Sequence, residues 1–295
     1  MKPSLSWYDT HVKLDVIAVL LLSGLLLINS CSTLPMGVGS DTILRAIGRI
    51  PDGQLALEGM PTFIVMVEGG LAQSPDDPQL LQIAAQLYSL YGSQLPENSE
   101  RALILTQKAM DYAIQAAEAT LPGMESVRHM SFLEFEKLLS RAEEQDVETL
   151  FILGSIWLEW IRVRQDELDG IADIPFVQTI MEKVVQLRPG YQSGTADAYL
   201  AFLASLGSED AHIVQEHFDN ALRAAGNKNI MPRVLNAMWL IRSGDNSKSC
   251  TYLREAVSMT ISDSSEFALF NGFARTKARQ TLGKLQEEGL CQENK

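Results

Sequence analysis

The most restrictive pattern in the chain lies between Leu150 and Pro189. Leu150, Leu153, Gly154 and Trp157 recur at the three-and-four spacing that puts them on one face of a helix, with Trp160 close beside. A glycine in such a stripe lets a neighbouring helix approach, and a large ring one turn on fills the space next to it. A second apolar segment, Val177, Met181, Val184 and Val185, is stopped by Pro189 and Gly190, which do not continue a helix. The stretch reads as one helical hairpin. Its connection, residues 165–174, is longer and more acidic than a regular repeat would carry.

Most of the remaining chain reads as imperfect copies of this hairpin. Ser74-Pro75-Asp76-Asp77-Pro78 is a strong helix start, because carboxylates and proline both suit a first turn. The helix after it carries Leu81, Ala84, Ala85, Tyr88 and Tyr91, and its partner carries Ala102, Thr106, Ala109, Tyr112 and Ala113. Residues 195–206 with 211–225 make a third pair, and 234–241 with 249–260 a fourth. Second-helix positions Met181, Phe218 and Leu253 are 37 and 35 residues apart, while first-helix aromatics Trp157, Phe202 and Trp239 are 45 and 37 apart. The large-x2-Leu-Gly-x2-aromatic offsets and a period near ~34 residues are those of tetratricopeptide-type (TPR) repeats.

Outside the copies, residues 41–47 suggest a helix ending near Pro51-Asp52-Gly53, and 132–142 a shorter amphipathic one. Residues 55–71 are predicted to be helical but bent or restarted at Gly59-Met60-Pro61. Residues 267–288 form a long last helix, the usual cover for the open apolar face of an array. No segment alternates with period two over a useful length, so no sheet is expected. The expected fold class is all-α: an irregular, TPR-like solenoid of helical hairpins, a right-handed superhelix with a long C-terminal capping helix.

The N-terminus has the pattern of a targeting segment. Lys2 and Lys13 precede an apolar run from Val16 to Ile28. That run spans about 20 Å as a helix, short of a ~30 Å hydrocarbon core, which suits a signal peptide better than a membrane span. Ile28-Asn29-Ser30-Cys31 resembles a bacterial lipobox, whose cysteine thiol is acylated and becomes the new N-terminus. An uncleaved anchor and an ordinary secretory signal are the other readings. The expected organisation is a lipoprotein signal peptide over 1–30, a lipidated tether over 31–40 and a helical domain over 41–295. Ser32 after Cys31 favours the outer membrane over the inner, so the expected location is the bacterial periplasm, lipid-anchored. Thiols there can oxidise. Cys250 and Cys291 are the two cysteines left, and a bridge between them is chemically allowed; a fold-back near Asp263 would instead set Cys250 opposite Lys277.

The leader holds two lysines and two aspartates, so the rest of the chain keeps the full net charge of −13. A surface that acidic repels phosphate backbones and argues against nucleic acid as a partner. Catalytic and metal chemistry are thinly represented. His212 and His217 stand five apart on one helix, about 140° around its axis, so they do not share a metal as an i, i+4 pair could. Glu125-Ser126 matches a catalytic pair of helical-array lytic transglycosylases, yet the glycine-rich and tyrosine-bearing parts of that signature are missing, and helix capping accounts for Glu125. The acidic runs 143–146 and 166–169 read as solvated turns. No enzyme activity, metal or cofactor is expected.

The aromatics are the remaining candidates. Tyr88, Tyr91, Trp157, Trp160, Tyr199, Phe202 and Trp239 all fall on first helices, which line the concave face of such arrays. A groove lined with rings suits an apolar ligand or a partner's helix. Trp157, Phe202 and Trp239 are expected to pack between helices. Trp160 and Tyr91 sit about 60° off or beyond the packing stripe and are expected to line the groove.

Several stretches together resemble the T-component lipoproteins of tripartite ATP-independent periplasmic (TRAP) transporters: residues 74–88, Glu100-Arg101-Ala102-Leu103, residues 215–222, and residues 267–279. Leu206-Gly207-Ser208 departs from the glycine pair of that family. The resemblance implies a TPR-like periplasmic lipoprotein that forms a homo-oligomer, such as a trimer. It implies association with a solute-binding P component and hand-over of a small, hydrophobic ligand. A lipoprotein scaffold for outer-membrane protein assembly is the alternative.

Overall fold

The structure, a computed structural model, describes residues 46, 48–50, 52–95, 99–164, 172–206, 210–260 and 267–291. These lie in the unit Leu44–Lys295, and no strand occurs among them. Helix α1 (Gly53–Gln73) is followed by α2 (Pro78–Ser93) and α3 (Glu100–Thr120). A 3-10 turn (Met124–His129), α4 (Phe132–Leu139) and a second 3-10 turn (Glu144–Asp146) lead into α5 (Val147–Val163) and α6 (Ile174–Leu187). Then come α7 (Tyr191–Leu206), α8 (Ala211–Ala225), α9 (Met231–Arg242), α10 (Asn246–Ser258) and α11 (Ala268–Glu287).

The helices start where local chemistry dictates. Asp52, Asp77, Asp210 and Asp245 each accept at a side-chain oxygen from the first free backbone N–H groups of α1, α2, α8 and α10. Ser131 and Glu134 close a reciprocal capping box on α4. Helix α1 runs on through Pro61, which is exposed, without the restart that is one of the two outcomes expected there, while Ala56, Met60, Val67 and Leu71 hold one face against the rest of the protein. By length and composition alone it could cross a membrane.

Successive hairpins α2/α3, α5/α6, α7/α8 and α9/α10 pack in order, and the second helix of each also touches the first helix of the next. Gly154 has the role its sequence position suggested. A Cβ there would lie 2.7 Å from Met181 Cε and 2.9 Å from Ile180 Cγ2, so α5 and α6 approach through a missing side chain. Helix α11 covers the last hairpin and also reaches α1, where Phe273 lies directly over Gly53. Helices α1 and α11 therefore meet.

Helix α7 begins earlier than expected, in a left-handed turn: Gln192, Ser193 and Gly194 have φ of 51°, 49° and 80°. At Gly194 a Cβ would overlap the carbonyl of Ala221 in α8, so only glycine fits. Asn229 clamps the turn from outside, its Nδ2 donating to Thr195 Oγ1 at 2.8 Å and to the Ser193 carbonyl at 3.2 Å. Asn271 on α11 in turn donates to the Lys228 carbonyl and accepts from Ile230 N–H, both at 2.8 Å.

The cysteines form a disulfide, Cys250–Cys291, with Cα atoms 5.9 Å apart. Helices α10 and α11 do pack together, but not in the register that would set Cys250 opposite Lys277. Arg275 Nη2 donates at 2.7 Å to the carbonyl of Met259 just past α10, so the helices are offset and Cys250 meets the chain beyond α11.

Candidate functional site

The central helix α5 is apolar nearly all round, and it is buried accordingly. Leu150, Leu153, Ile156 and Val163 join Trp157 and Trp160 in the core. Trp157 is 1% exposed and its indole N–H donates to Asp173 Oδ2 at 2.9 Å. Trp160 is 5% exposed and its indole N–H donates to Gln107 Oε1 at 2.8 Å. The guanidinium groups of Arg128 and Arg164 lie 4.1 and 4.3 Å from its ring centroid. The expectation that Trp160 lines an open groove is therefore corrected. A face 60° off the stripe is still interior on a helix enclosed by α2, α3 and α6.

Neither arginine is legible as a site residue from sequence, because α5 alone gives no hint of what closes over it. Arg128 comes from the 3-10 turn after α3 and faces Asp173 Oδ2 at 3.1 Å. Arg164, at the end of α5, donates to the Leu103 carbonyl at 3.0 Å and Thr106 Oγ1 at 3.2 Å.

A second polar cluster joins α1, α2 and α3. Glu68 Oε1 accepts from Tyr88 Oη at 2.8 Å and Tyr112 Oη at 2.9 Å, and pairs with Lys108 Nζ at 2.6 Å. Burial pushes Glu68 up, but the bonds from Lys108, Tyr88 and Tyr112 and the ammonium charge outweigh it and hold the carboxyl below its usual range. Burial would lower Lys108. Its bonds to Glu68 and Tyr88 win, and the ammonium sits well above its ordinary value. Tyr88 is thus a packing and latching residue.

Between these clusters, on the outer face of α3, is a shallow depression of about 580 Å³ lined by Leu103, Ile104, Gln107, Lys108, Asp111 and Arg164. Ile104 is 59% exposed there, an apolar floor beside two cations. Gln107 holds Trp160, and Lys108 lies 4.9 Å from the ring centroid of Tyr88. Two of the aromatics picked from sequence thus support this surface from below without lining it. Such a surface can bind; it offers no nucleophile with an adjacent base.

The other aromatics are dispersed over the molecule. Tyr91, half-buried, accepts from Arg101 Nη2 at 2.9 Å. Tyr199 stacks on Phe151 with centroids 6.1 Å apart, Phe202 has Arg242 at 5.8 Å, and Trp239 stacks on Phe218 at 5.6 Å. The seven do not form one groove. Glu125 is exposed in the first turn after Gly123, its N–H donating to Glu118 Oε2 at 2.8 Å. Among the described residues no three His, Cys, Asp or Glu side chains gather closely enough to hold a metal. Cys31 and residues 166–169 lie outside the described residues.

No curated protein matches the chain. A family model, that of the TRAP transporter T-component, matches residues 50–287 and so spans every helix from α1 to α11. That family is a transporter component and not an enzyme family. With its ordered helical hairpins and a match over most of its length, the chain belongs to the TRAP transporter T-component family.

Proposed function

We propose that the protein is a lipid-anchored periplasmic T component that associates with a solute-binding P component and assists uptake of a small ligand of apolar character. The family match over residues 50–287 carries this reading and favours it over a scaffold for outer-membrane protein assembly. Two further features support it. Cys31 follows a lipobox-like Ile28-Asn29-Ser30, and the Cys250–Cys291 bridge suits an oxidising compartment. The helical array then acts as a holder: it keeps the partner close to the membrane and presents a surface such as the α3 depression, with no chemical step of its own. Self-association into a homo-oligomer belongs to the same proposal.

The test is affinity capture of the protein from its native envelope, with mass spectrometry of what comes with it. A solute-binding protein or TRAP permease is the expected companion, and a β-barrel assembly complex in its place would overturn the reading. Palmitate labelling of the wild type, lost in Cys31→Ser, checks the anchor.

A further inference from the structure

A cleft of about 450 Å³ opens where α1 and α11 meet. Arg275 and Arg279 of α11 line it, one turn apart on the same face, with Thr276 beside them. Gln54 and Gln94 add amide groups, and Phe273 and Leu57 add apolar walls. Two like charges at i, i+4 destabilise a helix unless something between them compensates. Among the described residues nothing does so, and no carboxylate pairs with either guanidinium. Arg275 is anchored through Nη2 to the Met259 carbonyl, while its Nε is buried without a hydrogen-bond partner. Asp52 is the acidic group among the lining residues. Its Oδ1 is occupied by Gln54 N–H at 2.9 Å and Leu55 N–H at 3.2 Å, where it caps α1. In a chain of net charge −13, two uncompensated arginines in one cleft mark a place built for negative charge.

We propose that this cleft binds an oxyanion, a phosphate or carboxylate group carried on a small apolar body, between Arg275 and Arg279. Guanidinium forks match the planar or tetrahedral oxygens of such groups, and Phe273 with Leu57 would take the apolar part. The cleft volume falls within the range of small-molecule sites. Two sources share this chemistry: a free organic anion and the headgroup of an anionic phospholipid. The inference stands apart from partner binding, so failure of one leaves the other intact.

The test is titration calorimetry on the full chain in a neutral detergent, with inorganic phosphate, phenyl phosphate, benzoate and dihexanoyl phosphatidylglycerol below its micelle concentration. Saturable binding of phenyl phosphate or benzoate assigns a free organic anion. Binding of the short-chain lipid alone assigns a headgroup. Arg279 is exposed and, among the described residues, holds no hydrogen bond or ion pair, so Arg279→Gln should fold with an unchanged melting temperature. It should bind about tenfold or more weakly, the loss of a charge-assisted hydrogen bond, while Arg279→Lys retains part of the affinity. No saturable binding of any probe by the wild type, or equal binding by Arg279→Gln, overturns the proposal.

Discussion

Helices α2 to α6 and helices α9 to α11 solve the same packing problem with different means. The first region has one large core in which Trp157, Phe135, Met110 and Leu153 are fully buried. Its buried polar residues Thr106, Asp146, Thr149 and Arg164 are bonded, although Arg128 Nη1 has only its ion pair with Asp173. Thr106 donates to the Ala102 carbonyl and accepts from Arg164, and Thr149 accepts from Gln82 at 2.9 Å. The second region has a smaller core of mostly modest side chains, such as Ala237, Ala256, Ala274 and Ala278. It also buries Asn236 and Ser249, whose side-chain polar atoms find no partner among the described residues. Less apolar area and unpaired polar groups both weaken a fold. The Cys250–Cys291 bridge falls in this region, closing 41 residues of chain. Where packing is thin, a covalent link holds the end of the array.

Removing that link should have the largest effect. The double variant Cys250→Ala with Cys291→Ala is expected to lose about 4 kcal/mol on the chain-entropy estimate for a loop of this length. Hydrogen exchange should show the loss of protection confined to α9–α11, and an even loss across both regions would break the contrast. Next comes Trp160→Ala, expected to cost about 3 kcal/mol in urea unfolding, the usual result of emptying a buried indole site. A variant as stable as the wild type would return Trp160 to the surface. The smallest effect belongs to Asp197, between the two regions.

Asp197 is 3% exposed, and its Oδ2 lacks a partner. Burial raises its carboxyl above the usual range, only partly countered by the backbone N–H of Gly190 and of its own residue and by His217. A raised acid makes the charged form the unfavourable one in the folded state. Through this group, stability rises as pH falls through the folded value towards 3.8, the ordinary value, and the penalty is in full force at neutral pH. Asp197→Asn should therefore gain stability at pH 7, on the order of 1 kcal/mol, and flatten that acid-side rise in thermal melts across pH. A variant less stable than the wild type at pH 7 would show that the charge is needed there.

The hairpin array was legible because its cause is local. Small residues at helical spacing in α2 and α3, Gly154 in α5 and the Asp77-Pro78 start each announce themselves within a few residues. What escaped the sequence depends on distant partners. Nothing in Gln192-Ser193-Gly194 specifies a left-handed turn; Asn229 and the backbone of Ala221 impose it. Pro61 reads as a breaker, yet the buried face of α1 carries the helix past it. A one-faced reading of α5 puts Trp160 on the groove, although Val147–Val163 is apolar enough all round to indicate an enclosed helix. The arginines over Trp160, and those in the α1–α11 cleft, come from elements that only tertiary packing brings to those places.

Phe273 resting on Gly53 joins positions 220 residues apart in the chain. A row of repeats whose ends stay apart can nucleate at any hairpin and spread by nearest-neighbour steps. A seam between its extremes is different: it bears the loop-closure entropy of the whole array and cannot be reached by local propagation. Its formation is accordingly expected late in folding, after the hairpins between its two sides have docked. The cleft at that seam thus takes its walls from segments far apart in the chain and is complete only when they close on each other.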